Sequence, residues 1–325
     1  MCGSLSFRTL ISALVAALAP VFFTLGLGWF AGKRAILDTK DSKQMMSINL
    51  LLMNFALPAS LFVAMARTPV AMLRSDSVLV IALAGIMLAT YAVTFWVHTA
   101  VFRGNRPEAA IQALTVAFPN CAAVGLSLLP AVYGAASQSV AAIGIAVGAT
   151  TISPLTIALL EREAAHAGSG HRFSRAFLNA FRRPVVFAPI LGVLVALSGI
   201  ALHDVVSKSL LLLGQGAAGI ALFLTGLILS SQRFHLTPGM GAGVILKNFL
   251  QPLAFFLLLR ALRLPTLLTA EATLLTAVPA GFFGSVFGAR FGIRSTDASA
   301  TLLVSTVLGS LTLALAILLL RTLHP

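Results

Sequence analysis

Apolar residues in this chain run in blocks rather than in stripes. Stretches of about 20 residues pass with few charges, without the alternation of a half-buried strand or the stripe of an amphipathic helix. That is the length an α-helix needs to cross a hydrocarbon core ~30 Å thick. Ten such segments are expected: Leu10–Ala31, Met45–Ala66, Val78–Val101, Ala109–Val132, Ser139–Leu160, Pro184–Leu202, Val205–Ser230, Gly241–Leu262, Leu268–Ala289 and Ala298–Leu320. In hydrocarbon every backbone amide and carbonyl needs a partner inside the protein, and unbroken apolar blocks meet that demand as helices. The expected fold class is therefore an all-α polytopic membrane protein with ten transmembrane helices.

Composition agrees. Hydrophobic residues make up 58% of the 325, charged residues 10%, and the mean hydropathy is +0.99, which excludes a soluble globular domain. Connections are short except between 161 and 183, so the expected organisation is a first unit over 1–160, a linker over 161–183 and a second unit over 184–325. The linker carries Arg162, Arg172, Arg175, Arg182 and Arg183, with Gly168, Ser169 and Gly170 as a flexible break. A net charge of +13 raises the question of nucleic acid, but the basic residues are spread over segment ends and form no stripe. Nucleic acid is thus not expected as a partner. Alternate connections hold fourteen and seven Lys and Arg residues, and the richer set stays cytoplasmic. Both termini should face outward and the linker inward. Arg8 followed by an apolar stretch resembles a signal peptide, but the stretch continues to Phe30, which favours an uncleaved first span.

Cutting in the linker leaves five segments on each side. An odd number inserts two similar halves in opposite orientations, the inverted-repeat plan of many secondary transporters. Proline sits near the middle of the block from Glu108 to Tyr133, and again near the middle of the block from Leu268 to Arg290. Thr115-Val-Ala-Phe-Pro119 can be laid on Thr276-Ala-Val-Pro279, and the stretch 149–156 on 305–312. A proline inside a membrane helix removes one hydrogen bond and clashes with the preceding turn, so it either kinks the helix or marks a break that lines a cavity. A break exposes the N-terminus of the second half-helix, whose unpaired N–H groups favour negative charge. Pro119 with Asn120, and Pro279 with Gly281, are accordingly the candidate anion site.

Ionisable residues inside the spans add one candidate. All nine acidic residues fall in loops or at segment ends, whereas Lys247 lies inside the eighth segment. It either neutralises a carboxylate substrate or snorkels to the interface. Cys2 and Cys121 are isolated, the six histidines show no ligand spacing, and no cofactor or metal is expected. No catalytic constellation appears, so an enzyme is not expected. The function classes left are a transporter and, as the alternative, a sensor or channel built on the same broken helices. Glycine and alanine in segments two and seven offer a face for a homodimer.

Asn54-Phe-Ala-Leu-Pro-Ala-Ser-Leu-Phe62 in the second segment, the proline-broken fourth, Lys247 ahead of Pro252 and Ser305-Thr306 in the tenth resemble the auxin efflux carrier family. That family includes bacterial malonate and malate carriers. The resemblance implies a fold similar to the sodium/proton antiporter NhaA and the bile-acid sodium symporters. In it, segments one, two, six and seven form a scaffold, and the other six carry crossed helices four and nine. It implies small organic anions bound at the cross, an elevator-like shift, and H+ or Na+ as candidate coupling ions. Asn54 would line the scaffold side, with Ser305 and Thr306 nearby. The chain departs from the plant carriers: Asn120 stands alone after its proline, Ala280 replaces an asparagine, and their long hydrophilic loop is missing. This points away from auxin and towards a bacterial carboxylate carrier of the inner membrane.

Overall fold

The computed structural model describes residues 7–37, 42–67, 77–164, 178–200, 202–231 and 235–321. The centre of the expected linker, with Gly168, Ser169 and Gly170, lies outside the described residues, as do Lys40, Arg74, Arg172, Arg175 and Arg233. In chain order the helices are α1 (Phe7–Lys33), α2 (Ser42–Ala66), α3 (Ser77–Val101), α4a (Arg106–Ala117) with α4b (Cys121–Tyr133), and α5 (Ala135–Glu163). They continue as α6 (Pro184–Ser198), α7 (Asp204–Ser230), α8 (Pro238–Ala261), α9a (Thr266–Ala277) with α9b (Phe283–Arg290), and α10 (Thr296–Arg321).

Among the described residues seven helices are long and apolar enough to cross a membrane: α1, α2, α3, α5, α7, α8 and α10. The other three of the ten expected segments do not form a helix of that length. The fourth and ninth each divide in two, and α6 runs only 15 residues, stopping short of the expected Leu202. Pro184 starts α6 at a position whose N–H is not needed, and Gly199 ends it with φ 72°, a left-handed conformation that glycine adopts without steric cost.

Among the described residues four π-helical turns widen the backbone, at Leu52–Ala56, Val97–Val101, Cys121–Gly125 and Leu246–Leu250. Two have a cause in the sequence. Pro58 and Pro252 each press on the carbonyl four residues earlier, that of Asn54 and that of Asn248, and a wide turn relieves the clash.

Packing divides the helices. α1 lies along α7, and α6 lies along α2. Glycine sets the distance in both pairs: a Cβ on Gly28 would overlap the Phe223 carbonyl, one on Gly226 that of Leu25, and one on Gly192 would fall 2.5 Å from Phe62 O. Such close backbone approach is what holds helices together where lipid is as apolar as the side chains. α7 also reaches α2, Gly214 backing onto Ser60, so Gly214 and Gly226 are spent within the chain, whereas a Cβ on Gly219 would meet nothing within 4 Å.

The remaining helices pack among themselves, α3 and α5 against α4a, and α8 and α10 against α9a. Every residue from Ala109 to Ala117 and from Thr269 to Ala277 is buried, whereas α1 exposes Phe23 (71%) and α10 exposes Leu311 (70%). The two divided helices therefore form the centre. Glu271 corrects the expectation that all carboxylates lie in loops or at segment ends: it is buried within α9a, because that helix begins at Thr266 and is enclosed on all sides. At one end of the bundle Arg106 lies 3.8 Å from Glu163, Arg183 binds Glu161, and Arg183 and Arg290 line one cleft.

Candidate functional site

α4a opens on a reciprocal cap, the Asn105 side chain accepting from Glu108 N at 2.8 Å and donating to Glu108 Oε1 at 2.9 Å. It stops where proline dictates. Phe118 precedes Pro119 and takes φ −98°, ψ 102°; Val278 precedes Pro279 and takes φ −54°, ψ 142°. A residue before proline is pushed out of the helical region, so both helices unwind at the same chemical signal.

The two unwound stretches meet each other. Pro119 and Ala280 form an antiparallel bridge, Asn120 N donates to Pro279 O at 2.9 Å, and Gly281 N donates to Thr115 O at 3.1 Å. A Cβ on Gly281 would collide with the Phe118 carbonyl, so the pairing needs glycine there. Phe118 and Phe283 stack at 4.6 Å beside the bridge, and Gly148 leaves room for the Phe118 ring.

Breaking a helix frees carbonyls, and each must be satisfied. In an unbroken α4 the Ala117 carbonyl would accept from Cys121 N; that amide bonds Pro119 O instead, at 2.7 Å, and Gln251 Nε2 donates to Ala117 O at 3.0 Å. In an unbroken α9 the Thr276 carbonyl would accept from Ala280 N. That amide donates to Ser305 Oγ at 2.9 Å, and Lys247 Nζ donates to Thr276 O at 2.8 Å. Lys247 Nζ also donates to Gln251 Oε1 at 2.6 Å, and Ser305 Oγ donates to Asn248 Oδ1 at 2.6 Å. One face of α8 thus ties the C-terminal ends of both half-helices, where the dipoles are negative, to a single cation.

Of the residues expected at the site, Pro119, Asn120, Pro279, Gly281, Ser305 and Lys247 come together at this crossing. The snorkelling reading of Lys247 fails: the residue is 0% exposed and its ammonium is turned inward. Thr306 is buried, but its hydroxyl bonds Leu302 O of its own helix at 2.7 Å. Asn54 stands apart, half-buried in the π-turn of α2 and lining the cleft that holds Arg183 and Arg290. Gln251, Asn248, Thr115 and Phe118 were missed. The signal for the first two was present, since Gln251 follows Lys247 by four residues and Asn248 by three, which puts it beside both on the helix.

One polar atom at the crossing has nothing to bind. Asn120 is 2% exposed and its Oδ1 accepts from Ala123 N at 3.3 Å, capping α4b, while its Nδ2 has no hydrogen-bond partner among the described residues. A buried donor left in this way costs about 1–3 kcal/mol.

The sequence as a whole supplies the family. A model of the family described as membrane transport protein matches residues 13–317. The chain belongs to this family. It is the family of the auxin efflux carriers, and the protein is a membrane transporter. Among its relatives is one described as "Uncharacterized transporter YfdV" from Escherichia coli K12, 29% identical over 301 residues, covering 92% of this chain and 95% of the relative. Another, from Rhizobium meliloti strain 1021, is described as "Putative malonate transporter" and is 26% identical over 324 residues, 93% of this chain and 94% of its own length.

Proposed function

We propose that the protein is a secondary active transporter of small organic anions, carboxylates such as malonate or malate, working by elevator-type alternating access. The observation that carries the reading is the unpartnered Asn120 Nδ2 at the N-cap of α4b, a buried donor at a crossing of two broken helices tied to one cation. The description of the Rhizobium relative supports the choice of substrate class. The site is made of Pro119, Asn120, Pro279, Gly281 and Ser305, with Lys247 as the positive charge behind it and Thr306 on the adjoining helix.

Two inverted repeats of five helices, 1–160 and 184–325, account for the packing. An inverted repeat makes α1 on α7 the counterpart of α6 on α2, and α3 on α4a the counterpart of α8 on α9a, and both pairs of contacts occur. In this reading α1, α2, α6 and α7 form the scaffold, and the other helices move as one body carrying the crossing. The arginine-bearing end faces the cytoplasm, both termini face outward, and the protein sits in the inner membrane.

Uptake of radiolabelled malonate into proteoliposomes, with a sodium or proton gradient imposed in turn, tests this. Saturable accumulation above the equilibrium level, driven by one of the two gradients, is the expected result. Flux that never exceeds equilibrium and rises linearly with concentration sinks the transporter mechanism and leaves the channel. No flux and no thermal stabilisation by any carboxylate removes the anion reading altogether.

A further inference from the structure

A second place gathers groups that bind oxyanions. At the arginine-bearing end a narrow cleft, open on one side, is lined by Asn54 of α2, Ile157 of α5, Arg183 and Val185 at the start of α6, and Arg290 and Phe291 at the end of α9b. Its open space takes about one water molecule, so a carboxylate enters only as Arg183 swings away from Glu161. Arg183 is already engaged, its Nε donating to Glu161 Oε1 at 2.9 Å, and that carboxylate is only 16% exposed. Arg290 is half-buried and has no carboxylate partner among the described residues. The nearby acid Glu163 lies against Arg106 instead. The cleft therefore holds more positive charge than its own carboxylates offset. The first turn of α6 adds the positive end of a 15-residue helix with no acidic residue in that turn.

We propose that this cleft is a carboxylate-capture site: one carboxylate of the transported anion binds Arg290 and Asn54 and competes with Glu161 for Arg183, before the anion reaches the crossing. The inference rests on the transport reading above. Asn54 and Arg183 belong to helices assigned there to the scaffold, while Ile157, Glu161 and Arg290 belong to the moving body. The Arg183–Glu161 pair therefore fastens the two bodies together at this end. A substrate carboxylate that draws Arg183 from Glu161 loosens that fastening as it enters, which gives a free anion a route through an otherwise closed end. Asn54, away from the crossing, finds its role here.

The experiment is malonate uptake by reconstituted protein, with entry measured separately from the arginine-bearing face and from the opposite face. It compares wild type, Arg290→Gln, Arg290→Lys and Asn120→Ala in neutral phosphatidylcholine vesicles. Losing one charge-assisted bidentate contact should raise half-saturating malonate from the arginine-bearing face about tenfold, leave the maximal rate within about twofold, and leave the opposite face unchanged. Arg290→Lys should recover only part of that loss, since it keeps the charge but not the bidentate fork, whereas Asn120→Ala should weaken entry from both faces. Equal half-saturation for Arg290→Gln and wild type, in a wild type that transports, overturns the capture site and leaves the crossing standing. A wild type that transports no carboxylate overturns both. A further arm adds phosphatidylglycerol: if half-saturation differs between wild type and Arg290→Gln only in these vesicles, the occupant is a lipid phosphate and carboxylate capture is wrong.

Discussion

The two interruptions at the crossing look alike and are completed differently. At α4 the chain closes half of the break from its own residues: Asn120 caps α4b through its side chain, and only the freed Ala117 carbonyl is met from outside, by Gln251 of α8, a neutral amide. At α9 the corresponding residues, Ala280 and Gly281, have no polar side chains, and Phe282 provides no side-chain cap. The missing partners come from outside, Ser305 of α10 for the Ala280 amide and Lys247 of α8 for the Thr276 carbonyl. The α9 break is thus held by its neighbours, and the spare hydroxyls of its half-helices, Thr273 Oγ1 and Ser285 Oγ, lie six residues to either side of Pro279. The α4 break retains one donor, Asn120 Nδ2, that the fold does not use. Under the proposed function, support is concentrated at the α9 break and recognition at the α4 break, so substitutions on the two sides should separate into losses of stability and losses of binding.

The largest effect should come from Gly281→Ala. The added Cβ meets the Phe118 backbone carbonyl, which cannot move without opening the Pro119–Ala280 bridge, so a loss of about 3 kcal/mol is expected, at the upper end of overpacking. Fluorescence-detected thermal denaturation in detergent measures it. An unchanged melting temperature means the two stretches separate freely and the crossing is no rigid unit. Lys247→Met comes next. It keeps the length of the side chain but leaves Thr276 O and Gln251 Oε1 without their donor, worth about 2–3 kcal/mol after the relief of not burying an ammonium. If this variant melts with wild type, the α9 break does not depend on α8.

Ser305→Ala tests the same side at lower cost. Only the Ala280 amide and Asn248 Oδ1 lose a partner, and a drop of about 1–2 kcal/mol is expected. Half-saturation for malonate should rise less in Ser305→Ala and Lys247→Met than in Asn120→Ala, since neither removes the spare donor. A variant that folds like wild type yet loses affinity would place the recognition chemistry on the α9 side.

How much of this the sequence carried depends on the kind of signal. The helical class and most segment limits were legible because hydrocarbon imposes a length and forbids charge, and the Ala66 end of the second segment was read to the residue, although its helix begins at Ser42 and not at Met45. The break positions were legible because proline acts locally on the residue before it, Phe118 or Val278. The shortness of α6 was not, since Gly199 lies in an apolar run and only its left-handed backbone ends the helix. What the polar side chains do was least legible. Lys247 offered a charge inside a span, but the carbonyl it serves lies 29 residues away on another helix. Asn54 was assigned by resemblance to the scaffold side of the crossing and lies instead in the arginine cleft, because the π-turn forced by Pro58 decides where that part of α2 faces.

The smallest effect on stability, and the most discriminating, belongs to Asn120. Replacing it with alanine removes a helix cap worth about 1 kcal/mol but also removes the unpartnered buried donor, whose burial costs a similar amount. The melting temperature should therefore stay close to wild type while half-saturating malonate rises about tenfold, the loss of one hydrogen bond to a charged ligand. Asn120→Asp separates the two duties of the residue. Aspartate keeps an oxygen to cap Ala123 N, so the helix end is preserved, but it exchanges the free donor for negative charge where an anion is proposed to bind. Malonate should then bind more weakly to the aspartate variant than to the alanine variant, although the aspartate variant is the better capped. Equal affinities in all three proteins would mean that the spare donor at α4 serves no anion, and the division between support at α9 and recognition at α4 would be lost.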